Sequence, residues 1–150
     1  QLVELALRAL SPGINDPFTA IHCIDRLGAS LARLAERGMP APHHCDEEGH
    51  LRLITEVVTF SGIVDASFNQ IRQEARSDVA VTIRLLEALA IVAARARREE
   101  QRTALLHQAE MVWRGSEEVL PEGHDRQDVK KRYELVLRTL TARPANSMRS

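Results

Sequence analysis

Two aspartates lie in helical patterns that are otherwise apolar, where a carboxylate can serve acid–base or metal chemistry. Asp25 shares a stripe with Phe18 and Ile21, and Asp65 lies in the nearly uncharged run VVTFSGIVDASF. A carboxylate in such surroundings must find a partner or lose its charge. Two interpretations are therefore open. Either the aspartates form ion pairs that determine how helices dock, or they line a polar pocket.

The cations available to these aspartates are three arginines: Arg8, Arg26 and Arg72. In the pocket interpretation, Gln70 and Arg72 of the string FNQIRQ complete a cavity beneath the turn that precedes the second helical pattern. Asp16, Asp25 and Asp65 would then form a carboxylate set for hydrolysis, by acid–base or metal-assisted chemistry. This chemistry requires the carboxylates to converge in one cleft, with the pKa of at least one of them perturbed.

The stretch RALSPGINDPFTA, residues 8–20, combines two prolines, a glycine, an Asn-Asp pair and a serine between two apolar helical patterns. The Pro-Gly pair ends the first pattern, because proline disfavours helical backbone in the residue before it. Asp16 is a strong N-cap, and Pro17 suits the first helical position. Backbone amides at this helix start can bind an anion, although Asp16 adds a negative charge there.

Candidates for nucleophilic and metal chemistry are weaker. Ser11 is expected to act as a turn hydroxyl, because no histidine is placed to activate it. The window HHCDEEGH offers nitrogen, sulfur and oxygen ligands in one loop. Its metal-binding candidates are His43, His44, Cys45 and His50. Adjacent ligands in a loop do not readily surround one ion, so we expect neither a physiological metal nor a cofactor.

The composition excludes several classes of protein. The formal net charge is −1, from 20 basic and 21 acidic residues, which disfavours a nucleic-acid binder. Aromatic residues make up only 3% of the chain, so an aliphatic core is expected, and helix is favoured over sheet. No run of 18 uncharged apolar residues exists, so we expect no direct membrane insertion by this segment. Two cysteines do not make a disulfide scaffold.

Apolar residues at steps of three and four predict an all-α fold, a compact bundle of five to six helices with short loops. The first pattern places Leu2, Leu5, Ala6 and Ala9 on one stripe. Asp78 is expected to cap the fourth helix and Asp125 the sixth. The predicted helices span residues 2–10, 17–37, 50–75, 79–98 and 101–119, with a sixth after 125. We expect one helical domain over 1–143 and a flexible tail over 144–150.

The segments LVELALRALSPGINDPFTAIHCIDRLGASLARLA and FSGIVDASFNQIRQEARSDVAVTIRLLEALA resemble a bacterial family of predicted membrane proteins of unknown function. The resemblance covers residues 2–95, and RALSPGINDPFTA is its most specific string. It implies a soluble part of a longer chain anchored in the cell membrane, and this part is expected on the cytoplasmic side. The motif residues carried over by position are Arg8, Ser11, Pro12, Gly13, Asn15, Asp16, Pro17, Thr19, Asp25, Asp65, Gln70, Ile71 and Arg72.

Two functions from different classes remain, and the first is favoured. The first is a non-enzymatic assembly, sensing or regulatory module that acts on its own transmembrane region, with a homo-oligomer as the expected state. Its polar motif residues would hold helices in register or bind a small polar ligand. The second is a hydrolase that uses the carboxylates of Asp16, Asp25 and Asp65.

Overall fold

The computed structural model describes residues 1–39 and 58–142, which form six α-helices. They are α1 Leu2–Leu10, α2 Pro17–Arg37, α3 Phe60–Glu74, α4 Val79–Arg95, α5 Glu99–Val119 and α6 Gly123–Thr141. No strand occurs within the described ranges. The predicted all-α bundle is therefore confirmed. The expected tail, residues 144–150, lies outside the described residues.

Side-chain caps begin three of the helices. The carboxylate of Asp16 accepts a hydrogen bond from the Thr19 amide at 3.2 Å, and that of Asp78 accepts from Val81 N at 3.0 Å. Both caps were predicted and both are confirmed. Each satisfies a backbone donor that the helix itself leaves without a partner.

Three helix boundaries differ from the prediction. The third helix begins at Phe60, because Thr59 has extended backbone and its hydroxyl caps the Gly62 amide at 3.0 Å. The part predicted over 50–57 lies outside the described residues. The fourth helix ends at Arg95, since the side-chain oxygen of Gln101 accepts from the amides that follow and starts α5. The sixth begins two residues before Asp125, so the predicted cap there is wrong.

The core consists mainly of aliphatic side chains, as the composition predicted, with two phenylalanines, Phe60 and Phe68. Helix α4 is central and packs against α2, α5 and α6. The largest apolar side chains with less than 2% exposure are Phe68, Ile24, Ile71, Leu85, Leu86, Leu89, Leu105, Val64, Val81 and Val92. Cys23 is a free, buried thiol within this core.

Helices α2 and α4 run parallel to one another. Asp25 contacts Arg84, and Glu36 contacts Arg95 about three turns further along both helices. Both pairs are separated by 59 residues in the chain. Between them, the α2 backbone at Gly28 lies so close to α4 that a Cβ there would stand 3.1 Å from the Cβ of Ala88.

Candidate functional site

The RALSPGINDPFTA turn is closed by its own backbone and by one hydroxyl. The Ser11 hydroxyl donates to the Arg8 carbonyl at 2.7 Å, and the Ser11 carbonyl accepts from the amides of Ile14 and Asn15. Asn15 has φ of 46°, a left-handed conformation that asparagine tolerates better than most residues. Ser11 is therefore placed as the turn hydroxyl that the sequence indicated.

Asp16 joins this turn to α2. Its amide donates to the Ala9 carbonyl at 2.7 Å, and its second carboxylate oxygen accepts from the Thr19 hydroxyl at 2.6 Å. The hydroxyl hydrogen bond, followed by the amide hydrogen bond, lowers the pKa of Asp16 below its usual 3.8. Because both hydrogen bonds are stronger when the carboxyl group is ionised, the carboxylate serves as a cap.

This geometry predicts a specific pH dependence of stability. A carboxyl whose folded pKa is depressed stabilises the fold above its unfolded pKa and loses that contribution as pH falls through the folded pKa. We expect the unfolding free energy, measured in urea from about pH 5 to about pH 2, to fall less steeply in Asp16→Asn than in the unchanged chain. Asparagine still caps the helix, so equal slopes in the two proteins would contradict the assignment.

Asp25 forms a two-pronged ion pair with Arg84 of α4. The guanidinium donates from Nε to Oδ1 at 2.5 Å and from Nη2 to Oδ2 at 2.8 Å. Arg84 also donates to Glu87, whose other oxygen accepts from Arg132 Nε of α6 at 2.8 Å. The bonds to Asp25 and then Glu87 raise the pKa of Arg84. This chain of charges links α2, α4 and α6.

Asp65 belongs to a separate polar contact between α3 and α5. The fully buried Gln108 donates from Nε2 to Asp65 Oδ1 at 3.1 Å and to Asn69 Oδ1 at 3.0 Å. The same amide carries a buried oxygen, Oε1, with no hydrogen-bond partner among the described residues. The contact therefore fastens α3 to α5 through neutral donors and one carboxylate.

The remaining sequence candidates lie apart from these contacts. Arg8 is exposed on α1, Gln70 is exposed on α3, and Arg72 is half-buried on α3. The hydrogen bonds and ion pairs of the described ranges connect Asp16, Asp25 and Asp65 to three different sets of partners. Within those ranges no three His, Cys, Asp or Glu side chains are grouped to hold a metal ion. The candidates His43, His44, Cys45 and His50 lie outside the described residues.

Sequence reasoning missed the partners of both aspartates. The expected cations for Asp25 were Arg8, Arg26 and Arg72, and this expectation is wrong because Arg84 holds it. A signal was present, since Arg84 and Glu87 are the only charged residues in the run VAVTIRLLEALAIVAA. Gln108 gave no comparable signal.

Apolar side chains near the turn face solvent. Phe18, predicted on the apolar stripe of α2, is 74% exposed, and Leu5, predicted on that of α1, is 47% exposed. Ile14, in the turn between them, is 55% exposed. Phe18 is in the first turn of α2, before the buried part of the helix that contains Cys23 and Ile24. Phe18 is therefore not part of the buried stripe of α2.

The architecture and these contacts define an all-α module whose polar motif residues cap and join helices. The chain belongs to the family described as "Predicted membrane protein (DUF2254)", which matches residues 1–91. It is 32% identical over 126 residues to uncharacterized proteins of Mycobacterium bovis and of two strains of Mycobacterium tuberculosis. These alignments cover 84% of this chain and 24% of each relative, so the chain spans about a quarter of their length.

No solved structure matches the chain. The resemblance drawn from the sequence is thus confirmed at the level of the family, whose relatives here are themselves uncharacterized. Of the helices in the described ranges, none is long and apolar enough to cross a membrane.

Proposed function

We propose that this chain is a non-enzymatic assembly and regulatory module of a membrane protein, acting through contact between two copies. One observation carries the proposal: α1 presents Glu4, Leu5 and Arg8 to solvent. We propose that the module lies on the cytoplasmic side of the membrane and acts on the membrane region of its own chain. The free thiol of Cys23 supports this side, because it requires no oxidising compartment.

The exposed face of α1 is self-complementary. Residues four apart on a helix lie on one face, so Glu4 and Arg8 share a face, and Leu5 lies at its edge. A two-fold axis that pairs α1 of two copies in antiparallel fashion brings each Glu4 beside the Arg8 of the other copy, with the Leu5 side chains packed alongside these pairs. Opposite charges then border a small apolar contact, an arrangement typical of specific interfaces.

The turn adds apolar surface beside the end of α1. The polar members of RALSPGINDPFTA serve the turn itself, while Ile14 and Phe18 project into solvent. Exposed apolar side chains gathered in one short segment favour a docking role. A second copy is the occupant that the charge pattern of α1 supports best.

The hydrolase alternative has less support in the contacts. Asp16 is engaged as a helix cap, and Asp25 is held by both prongs of a guanidinium. A carboxylate whose two oxygens already accept hydrogen bonds in a structural contact is poorly placed as a base, because its lone pairs are engaged there and not directed at a substrate. Asp65 is half-buried, and among the described side chains its one hydrogen-bond partner is the amide of Gln108.

Exchange of charges on α1 tests the proposal. We expect sedimentation velocity to show a dimer whose dissociation constant rises about tenfold in Glu4→Arg and in Arg8→Glu, since each places like charges opposite one another. The double variant Glu4→Arg/Arg8→Glu restores the complementary pattern and the dimer. Arg97→Glu, which alters an exposed charge between α4 and α5, is the control and leaves the dimer unchanged. A monomer at every concentration, or a double variant no better than the singles, would overturn the proposal.

A further inference from the structure

Three arginines meet in one surface pocket between α3 and α5. Arg72 and Arg76 come from the end of α3 and the residues after it, and Arg114 comes from α5. The pocket has a volume of about 200 Å³ and is lined as well by Met111, Gly115 and Glu118. A water needs roughly 10–15 Å³ of such volume, so the pocket is large enough for a small polyatomic anion.

No ion pair between described residues engages the arginines of this pocket. Ion pairs between described residues engage Arg84, Arg95 and Arg132, but none of them involves the three arginines of the pocket. Among the described residues that line the pocket, Glu118 is the one acidic side chain. Three like charges held close together repel one another, so an anion bound between them is stabilised by all three.

Arg72 is the least solvated member of the group. Its Nε is buried and has no acceptor among the described residues. Burial lowers the pKa of its guanidinium, and the neighbouring charges of Arg76 and Arg114 lower it further, against an opposing effect of Asp65. An unsatisfied buried donor is costly, and an oxyanion would supply the missing acceptor.

Gly115 lets the side chain of Arg76 lie close against α5. A Cβ at Gly115 would lie 3.5 Å from Cδ of Arg76, so the stem of Arg76 passes over α5 where that helix has no side chain. A basic residue in the last turn of a helix is stabilised by the helix dipole. Arg114 lies five residues before the end of α5, outside that last turn, so this effect does not explain why an arginine is there.

We propose that Arg72, Arg76 and Arg114 form a binding site for a phosphate group. Guanidinium groups bind phosphate oxygens by paired, charge-assisted hydrogen bonds, and three of them match a dianion better than a carboxylate. The phosphate belongs either to a soluble phosphorylated molecule or to the headgroup of an anionic lipid. Glu118 opposes the anion and weakens its binding.

Isothermal titration calorimetry of the 150-residue chain with inorganic phosphate, at constant ionic strength, tests the site. We expect Arg76→Gln and Arg114→Gln each to weaken binding about tenfold, the loss of one charge-assisted contact. Arg97→Gln removes an exposed arginine outside the pocket and leaves binding unchanged. Glu118→Gln strengthens binding, a gain that damage to the fold would not produce.

A second arm distinguishes the two sources of the phosphate. The chain is sedimented with vesicles of phosphatidylglycerol and phosphatidylcholine in equal parts, and with vesicles of phosphatidylcholine alone. Binding to the first vesicles that is lost in Arg76→Gln assigns a lipid headgroup, and binding of phosphate alone assigns a soluble ligand. Failure of both arms, or equal binding by Arg76→Gln, Arg114→Gln and the unchanged chain, would overturn the proposal.

Discussion

Gly28→Val is expected to destabilise the bundle by about 3 kcal/mol, the upper end of the range for overpacking a close-packed interior. Even a Cβ at this position would lie 3.1 Å from the Cβ of Ala88. Because a Cβ is fixed to the helix backbone, no side-chain rotation can relieve this contact. Valine adds two further carbons in the same space. Chemical unfolding monitored by circular dichroism measures the change in the free energy of unfolding.

Two variants separate the steric effect from helix propensity. Ala29→Val makes a similar substitution on the exposed neighbouring position of α2 and should cost less than about 1 kcal/mol. Ala88→Gly destabilises the unchanged chain, because glycine is unfavourable inside a helix. In the Gly28→Val background the same change should raise stability, since it removes the clashing methyl. If the changes in unfolding free energy caused by Gly28→Val and Ala88→Gly simply added in the double variant, α2 and α4 would not approach closely here.

Gln108→Glu is expected to cost about 3 kcal/mol or more at neutral pH, as an uncompensated buried charge does. The glutamine Nε2 donates to both Asp65 and Asn69, and an ionised glutamate has no donor to replace it. It also places a second negative charge beside Asp65. The loss should shrink as pH falls, because burial beside a like charge raises the pKa of the new carboxyl and favours its neutral form.

The matched control transfers the charge from α3 to α5. In Asp65→Asn/Gln108→Glu, the new asparagine supplies a donor to the new carboxylate, so the contact is rebuilt with its polarity reversed. We expect the double variant to be more stable than Gln108→Glu alone. Urea unfolding of both at neutral pH measures the difference. Equal stability would indicate that the side chain of Gln108 does not join α3 to α5.

Features set by neighbouring residues were predictable from the sequence. The bounds of α1 and α2 follow from a Pro-Gly stop and the Asp16-Pro17 start, which act over one helical turn. The cap at Asp78 is local in the same way. The start of α6 was placed too late because Asp125 is a strong N-cap residue, yet helical backbone begins at Gly123 without any side-chain cap.

Features set by distant residues were not predictable. The charge of Asp25 called for a partner, but periodicity in α2 does not show which arginine of the chain lies opposite. Spacing placed Phe18 on the apolar stripe of α2, but spacing does not show how far along that stripe the neighbouring helices reach, and Phe18 is exposed. Of the arginine pocket, the sequence singled out only Arg72, since Arg76 follows the end of α3 and Arg114 comes from α5, which tertiary packing brings beside α3.

The parallel pairing of α2 and α4 sets the order of events during synthesis. Contacts between Asp25 and Arg84 join residues 59 positions apart, so α2 cannot complete its interface until α4 has been made. At about 5–20 residues per second, the ribosome needs roughly 3–12 s to cover that distance. For that interval the small-residue face of α2 around Gly28 is without its final neighbour. A nascent chain halted before α4 should therefore expose this face to chaperones, and one halted after α4 should conceal it.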